Sequence, residues 1–215
     1  MSGNSKPSGK SNRRSEILKA ADKLMRSRGL AGVTTRQISR EVGCSEGALY
    51  VHFEGRLELL LAMLEECLPD MLEPLRDLRE SIGSGDPQAN LTKALGGIFN
   101  FHRRIVPAAA GLFAERDLLL AYRESLQRQN KGPHLSMAAL AEYIAAEQKL
   151  KRIESGVDPK LAAYLLLSAS FFRAFVEEFM GAPFEPSWER FARQLLGSIV
   201  PRPSSSEATS NRRSR

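Results

Sequence analysis

Between residues 34 and 53 the chain reads TTRQISREVGCSEGALYVHF, and few folds accept letters in that order. Thr34 and Gln37 stand at the spacing of a capping box, so a helix is predicted to start there. Gly43 ends it, because glycine readily takes the left-handed backbone of a tight turn. Ser45 restarts the chain as the N-cap of a very short helix reaching about Val51. With Ile38, Val42, Cys44 and Leu49 turned inward, the spacing is that of a helix-turn-helix. Such a pair locks at a steep angle and projects its second helix as a rigid probe of a size that fits the major groove of B-DNA. The first turn of that helix carries the small residues Ser45, Gly47 and Ala48. They let the backbone approach base edges and turn an amide-rich end toward phosphate.

The rest of the chain is also helical in period, with no sustained alternation of apolar and polar residues that would mark a strand. Ile17, Ala21, Leu24 and Met25 form one apolar stripe on a helix over 15–29, closed by Gly29. An apolar segment over 56–68 ends at Pro69. Asp86-Pro87 and Asp158-Pro159 are helix starts, a cap followed by proline in the first turn. Val106-Pro107, Gly132-Pro133 and the stretch from Pro183 to Pro186 mark further boundaries, the last before a helix over 187–199. The expectation is an all-α protein of about nine helices with a break near residues 68–70. Four segments follow: a basic flexible arm 1–13, a helix-turn-helix domain 14–68, a helical domain 69–200 and a flexible basic tail 201–215.

Charge matters here by location. The chain has 215 residues and a net charge of +6. Residues 1–14 hold +4 and residues 201–215 hold +3, so the body between them is close to neutral. Tails of this kind are either solvated ends or arms that screen phosphate. Within 1–56, however, eleven basic residues face five acidic ones, a local excess that suits a polyanionic partner. The uncharged run 161–172 is too short to cross a bilayer, and the basic N-terminus lacks the apolar core of an export signal. With only Cys44 and Cys67, a reduced, cytoplasmic protein without a disulfide framework is expected, and no membrane partner.

The stretches ILKAADKLMRSRG, TTRQISREVG and CSEGALYVHFEGRLELL, from about Arg14 to Leu64, resemble the DNA-binding domain of the TetR family of bacterial transcriptional repressors. The Leu-Tyr-x-His-Phe string after a glycine turn is the most distinctive part. The resemblance implies contacts to operator DNA from Thr35 and Arg36 on the second helix and from Ser45, Gly47, Tyr50 and His52 around the third. Arg56 stands where the family usually has lysine, and a phosphate contact is expected to survive that exchange; Cys44 stands where valine is commoner. Thr34 is foremost a structural cap with DNA contact secondary, and Ala48, on the third helix beside Gly47, is a further candidate for DNA contact. Tyr50 and His52 either close the small core or donate to phosphate oxygens, the latter favoured within the whole motif. Glu46 has two readings: it stabilises the helix start through the dipole, or it accepts a hydrogen bond from a cytosine amino group.

By the same resemblance the C-terminal half is a helical bundle that binds a small-molecule inducer and forms a homodimer through its last two helices. Phe99, His102, Arg103, Phe113, Met137, Phe171, Phe172 and Phe175 are candidate pocket residues, and most such aromatics serve as ordinary core. Leu161, Leu165 and Phe172, with Trp188, Phe191 and Leu195 of the final helix, are candidates for a two-fold interface, the alternative being an internal core and a monomer. A homodimer places two recognition helices about one DNA turn apart on a near-palindromic double-stranded operator.

Two further function classes fit parts of the sequence. Gly43-Cys44-Ser45-Glu46-Gly47 satisfies the G-x-S-x-G of a hydrolase, but that chemistry needs a strand before the serine, and the preceding residues read as helix. A helical interaction module independent of DNA is the other. The three histidines and two cysteines lack zinc-ligand spacing, so neither an enzyme, a metal site nor a cofactor is expected.

Overall fold

The computed structural model describes residues 9–203, and every described element is helical. The order is α1 Gly9–Arg28, a single 3-10 turn Leu30–Gly32, α2 Thr35–Val42, α3 Glu46–Tyr50, α4 Arg56–Glu65 and α5 Leu68–Glu80. There follow α6 Pro87–Ala114, α7 Arg116–Arg128, α8 Pro133–Lys149, α9 Pro159–Met180 and α10 Trp188–Ile199.

Two departures from the sequence reading have local causes. The first helix begins at Gly9, inside the segment 1–13 that the sequence reading assigns to an arm. No breaker lies between Gly9 and Ser15, and Asn12 and Arg13 each donate to Glu16 at 2.9 Å, the one-turn pairing that extends a helix. Residues 1–8 of the expected arm and 204–215 of the expected tail lie outside the described residues. The second departure is at Pro107, where the expected boundary is absent and α6 runs straight through. Proline inside a helix forfeits a backbone hydrogen bond. Its neighbours Val106 and Ala108 are buried, and that burial offsets the loss.

The chain divides into two compact units. One comprises residues through Leu68 together with Pro107–Arg128; the other comprises Pro69–Val106 and the residues from Gln129 onward. The segment 107–128, which sequence assigned to the second domain, thus packs with the first. In the first unit Ile17, Ala21 and Met25 of α1 meet full burial alongside Ile38, Leu49, Phe53, Leu59 and Leu60. Gly111, near the end of α6, packs so tightly on Leu30 that a methyl group there would collide with its side chain.

The second unit has one continuous core running from Met71 to Val200. Its most extensive helix pairing is α8 against α9. Gly97 lets α6 approach the Pro74 ring of α5, and Trp188 stacks flat on Phe99 at 4.1 Å. Glu147, wholly buried, accepts from the Gly83 amide at 2.9 Å and pairs with Arg152 at 3.0 Å, tying the 83–86 loop to α8. The start of the expected tail is held as well: Glu154 N–H donates to the Pro201 carbonyl at 3.3 Å, and Arg202 pairs with Asp86 at 3.1 Å.

α9 is long and apolar enough to meet the length and composition of a membrane span, although only a third of that stretch is buried. It also carries Arg173 and Glu177, both buried and paired at 2.9 Å, on the side facing its own unit. That is the pattern of a bundle helix with one covered and one open face.

Candidate nucleic-acid interface

The helix-turn-helix is built by its caps. The Thr34 hydroxyl accepts from the Gln37 amide at 3.2 Å while the Thr34 amide donates to Gln37 Oε1 at 3.2 Å, a reciprocal capping box that starts α2. Gly43 sits in the left-handed region at φ 70°, and the next amide, of Cys44, returns to the Ser39 carbonyl at 2.9 Å. This wraps the carbonyl end of α2 and sets the turn. Ser45 caps α3 by accepting from the Ala48 amide at 3.1 Å. Leu49, the one fully buried side chain of α3, anchors it from beneath.

What remains outside is mostly polar or small, with Val51 at the end of α3 an exposed apolar exception. Thr34, Arg36, Ser45 and Gly47 are exposed, as is Tyr50 at 51%. Thr35, Glu46, Ala48 and His52 are half-buried. A Cβ added at Gly47 would meet only the Ser45 hydroxyl at 3.8 Å, so the fold itself does not require a glycine there. Thr35 donates from its hydroxyl to Glu46 Oε2 at 3.2 Å, a strut between the first turns of α2 and α3 that engages the carboxylate within the protein. Arg14 lies over the Phe53 ring at 4.9 Å, and Lys23 of α1 pairs with Glu41 of α2 at 2.5 Å.

Arg56, the first residue of α4, is more occupied than its sequence position suggests. Its Nε donates to the Val33 carbonyl at 2.8 Å and its Nη2 to the Leu30 carbonyl at 3.2 Å. The same guanidinium forms a two-pronged ion pair with Glu115, at 2.5 and 2.8 Å. Glu115, unsuspected from sequence, lies 59 residues away, and no local signal announces the pairing. Its carboxyl is held below the ordinary range by the Arg56 hydrogen bonds.

In the second unit the candidate pocket residues separate. Phe99 and His102 are buried, Arg103 reaches over Phe99 at 6.0 Å, and the His102 ring meets the edge of Phe171 at 5.5 Å. His102 Nδ1 is 2.9 Å from the Ser170 hydroxyl, a partner that sequence reasoning missed. Burial pushes the His102 pKa down to about 4, so the ring is neutral at pH 7. Met137 is partly open, while Phe172 and Phe175 point to solvent at 66% and 45%. Phe113 belongs to the first unit and is 73% exposed.

The candidate interface residues also divide. On α9, Leu161, Leu165 and Phe172 are exposed. On α10, Trp188 is buried, and Phe191 and Leu195 are half-buried against the unit's own core. Among the described residues no group of His, Cys, Asp and Glu is arranged to hold a metal ion.

Comparison with known proteins accords with this geometry. Residues 17–63 match the family model described as bacterial regulatory proteins, tetR family. The transcriptional regulator TtgR of Pseudomonas putida is 33% identical over 87 residues, 40% of this chain and 41% of its own length. The transcriptional repressor KstR2 of Rhodococcus jostii is 36% identical over 85 residues, 39% of this chain and 40% of its own. The chain spans only about a third to two fifths of the length of these and other curated relatives. A TetR-family regulator of known structure from Mesorhizobium loti shares the fold over 90% of this chain and 97% of its own, with a TM-score of 0.70 at 18% identity. These relatives are named as regulators, not enzymes, and the glycine-flanked Ser45 follows a helix and a turn where a nucleophile elbow needs a strand.

Proposed function

Because residues 17–63 match the family model of bacterial regulatory proteins, tetR family, we propose that this chain is a member of that family and acts as a homodimeric, cytoplasmic repressor released from a near-palindromic operator by a small-molecule ligand. The observation that carries the reading is the capped pair α2–α3. Its anchors Ile38 and Leu49 are buried in the core, and its outer surface offers an arginine, hydroxyls, a phenol and a glycine that the fold does not need, with Val51 exposed at the end of α3.

In the proposed complex α3 lies in the major groove. Gly47 and Ala48 let the backbone close on the base edges, and Thr34, Thr35, Arg36, Ser45, Tyr50 and His52 hold phosphates on either side. Arg56 adds a phosphate contact at the start of α4. Glu46, already bonded to Thr35, braces the two helices.

The dimer is proposed through α9. Leu161, Leu165, Ser168, Phe172, Phe175 and Phe179 are all exposed and follow one another at alternating steps of four and three. That spacing is the seam along which two helices pair. A ligand lodged among Phe99, His102 and Phe171 would favour one arrangement of the two recognition helices over another, and its differential affinity would set the response.

The test is footprinting and binding on DNA from upstream of the protein's own gene. The wild type is expected to protect a near-palindrome. Arg36→Ala with Tyr50→Ala is expected to weaken binding by about a hundredfold and to flatten its salt dependence by about two phosphates. Absence of any protected segment sinks the reading.

A further inference from the structure

The Arg56–Glu115 pair has a consequence for DNA binding, and it rests on the repressor reading above. A guanidinium has five N–H donors. Four of those of Arg56 are engaged: two on the carbonyls of Leu30 and Val33, two on the oxygens of Glu115. Thus the cation at the start of α4 is neutralised by its own chain. We propose that Glu115 is a positioning residue that competes with an operator phosphodiester for Arg56, so that closing on DNA requires the ion pair to open.

Four observations converge on this competition. The pair is not sealed, since about a third of the Arg56 side chain and a quarter of the Glu115 side chain remain open to solvent. The two carbonyl bonds hold the guanidinium in place independently of Glu115, so Arg56 need not move when its partner leaves. The edge presented to Glu115 is the fork that matches carboxylate and phosphate oxygens alike. Glu115 itself is the single non-helical residue between α6 and α7, where a side chain can swing away without unwinding a helix. Its carboxylate also places a negative charge where a phosphate would come, so its effect on binding has a definite sign.

The experiment uses the full chain and the duplex that the wild type protects in footprinting. Glu115→Gln is expected to bind about fivefold tighter at low salt, with the plot of log affinity against log salt steeper by about one phosphate. In an Arg56→Gln background the same change is expected to have no effect. Unchanged or weaker binding with an unchanged salt slope would assign Glu115 a purely structural role and overturn the proposal, while the wild-type footprint leaves the repressor reading intact. Should Glu115→Gln fail to fold, Glu115→Asp decides, because it keeps the charge but shortens the reach. A partial gain with an intermediate slope supports the competition, and wild-type behaviour refutes it. If the wild type itself protects nothing, the repressor reading falls first and takes this inference with it.

Discussion

In residues 34–53 the apolar side chains Ile38 and Leu49 are fully buried, and Arg36, Ser45 and Tyr50 face solvent. Along the second half of α9 the order is reversed: Arg173 and Glu177 are buried, and Phe172, Phe175 and Phe179 stand in water. Each surface costs something. The first exposes polar groups cheaply but spends two caps and a left-handed glycine to hold a helix of only five residues. The second pays desolvation for an ion pair and leaves aromatic area uncovered, which a stable chain tolerates when another apolar surface covers it. What the contrast teaches is that the chemistry of a partner can be read from what a surface declines to bury.

The largest effect is expected where the buried ions are broken. Arg173 donates to Glu177 at 2.9 Å and to the Pro186 carbonyl at 2.5 Å, bonds the Phe184 carbonyl, and lies over Phe191 at 5.0 Å. Arg173→Ala should leave Glu177 buried without its main partner and cost roughly 3–5 kcal/mol in denaturant unfolding. A loss under 1 kcal/mol would mean that the inverted face of α9 is less committed than its burial suggests.

His102 comes next. Burial holds its pKa at about 4, whereas the unfolded ring protonates near 6.5. The folded state therefore excludes a proton that the unfolded chain accepts. The contribution of His102 to stability should be full above about pH 6.5, fall as the pH drops toward 4, and level off below, with a total of up to about 3 kcal/mol. His102→Gln retains a partner for Ser170 without titrating, and melts of that variant should lack the acid decline.

The exposed seam of α9 is sharpened by Phe172→Asp. Since Phe172 is 66% exposed, helix content by circular dichroism should hold, while sedimentation should give a monomer and operator affinity should fall by about a hundredfold through lost bivalency. A dimer that persists would move the interface elsewhere. The smallest effect belongs to the recognition segment. Ser45→Ala removes one cap bond and should cost about 1 kcal/mol in thermal melts.

Legibility in the sequence followed the range of the interaction. Thr34, Gly43, Ser45 and Asp158 announce helix ends because each bonds within a few residues of itself. The all-helical architecture was legible for the same reason: its period is local. Arg56 was legible as a cation but not as half of an ion pair, because Glu115 is brought to it only by packing. His102 and Ser170, 68 residues apart, escaped in the same way. Pro107 misled because the statistics of proline in helices carry no information about the burial that pays for it here. Trp188 was placed on an interface stripe by its spacing, yet spacing cannot say which of two apolar surfaces, internal or external, a stripe will cover.

That tryptophan is the only one in the chain, and it lies in the second unit, flat against Phe99 with its indole N–H buried and without a hydrogen-bond partner among the described residues. Selectively excited indole emission from this protein consequently originates in the second unit alone. It gives a blue, water-shielded signal while α10 stays docked and a red one when it comes away. The helices α2 and α3 contain no tryptophan and contribute nothing to that light, so an optical measurement on the second unit and a binding measurement on the first run on separate channels without any added label.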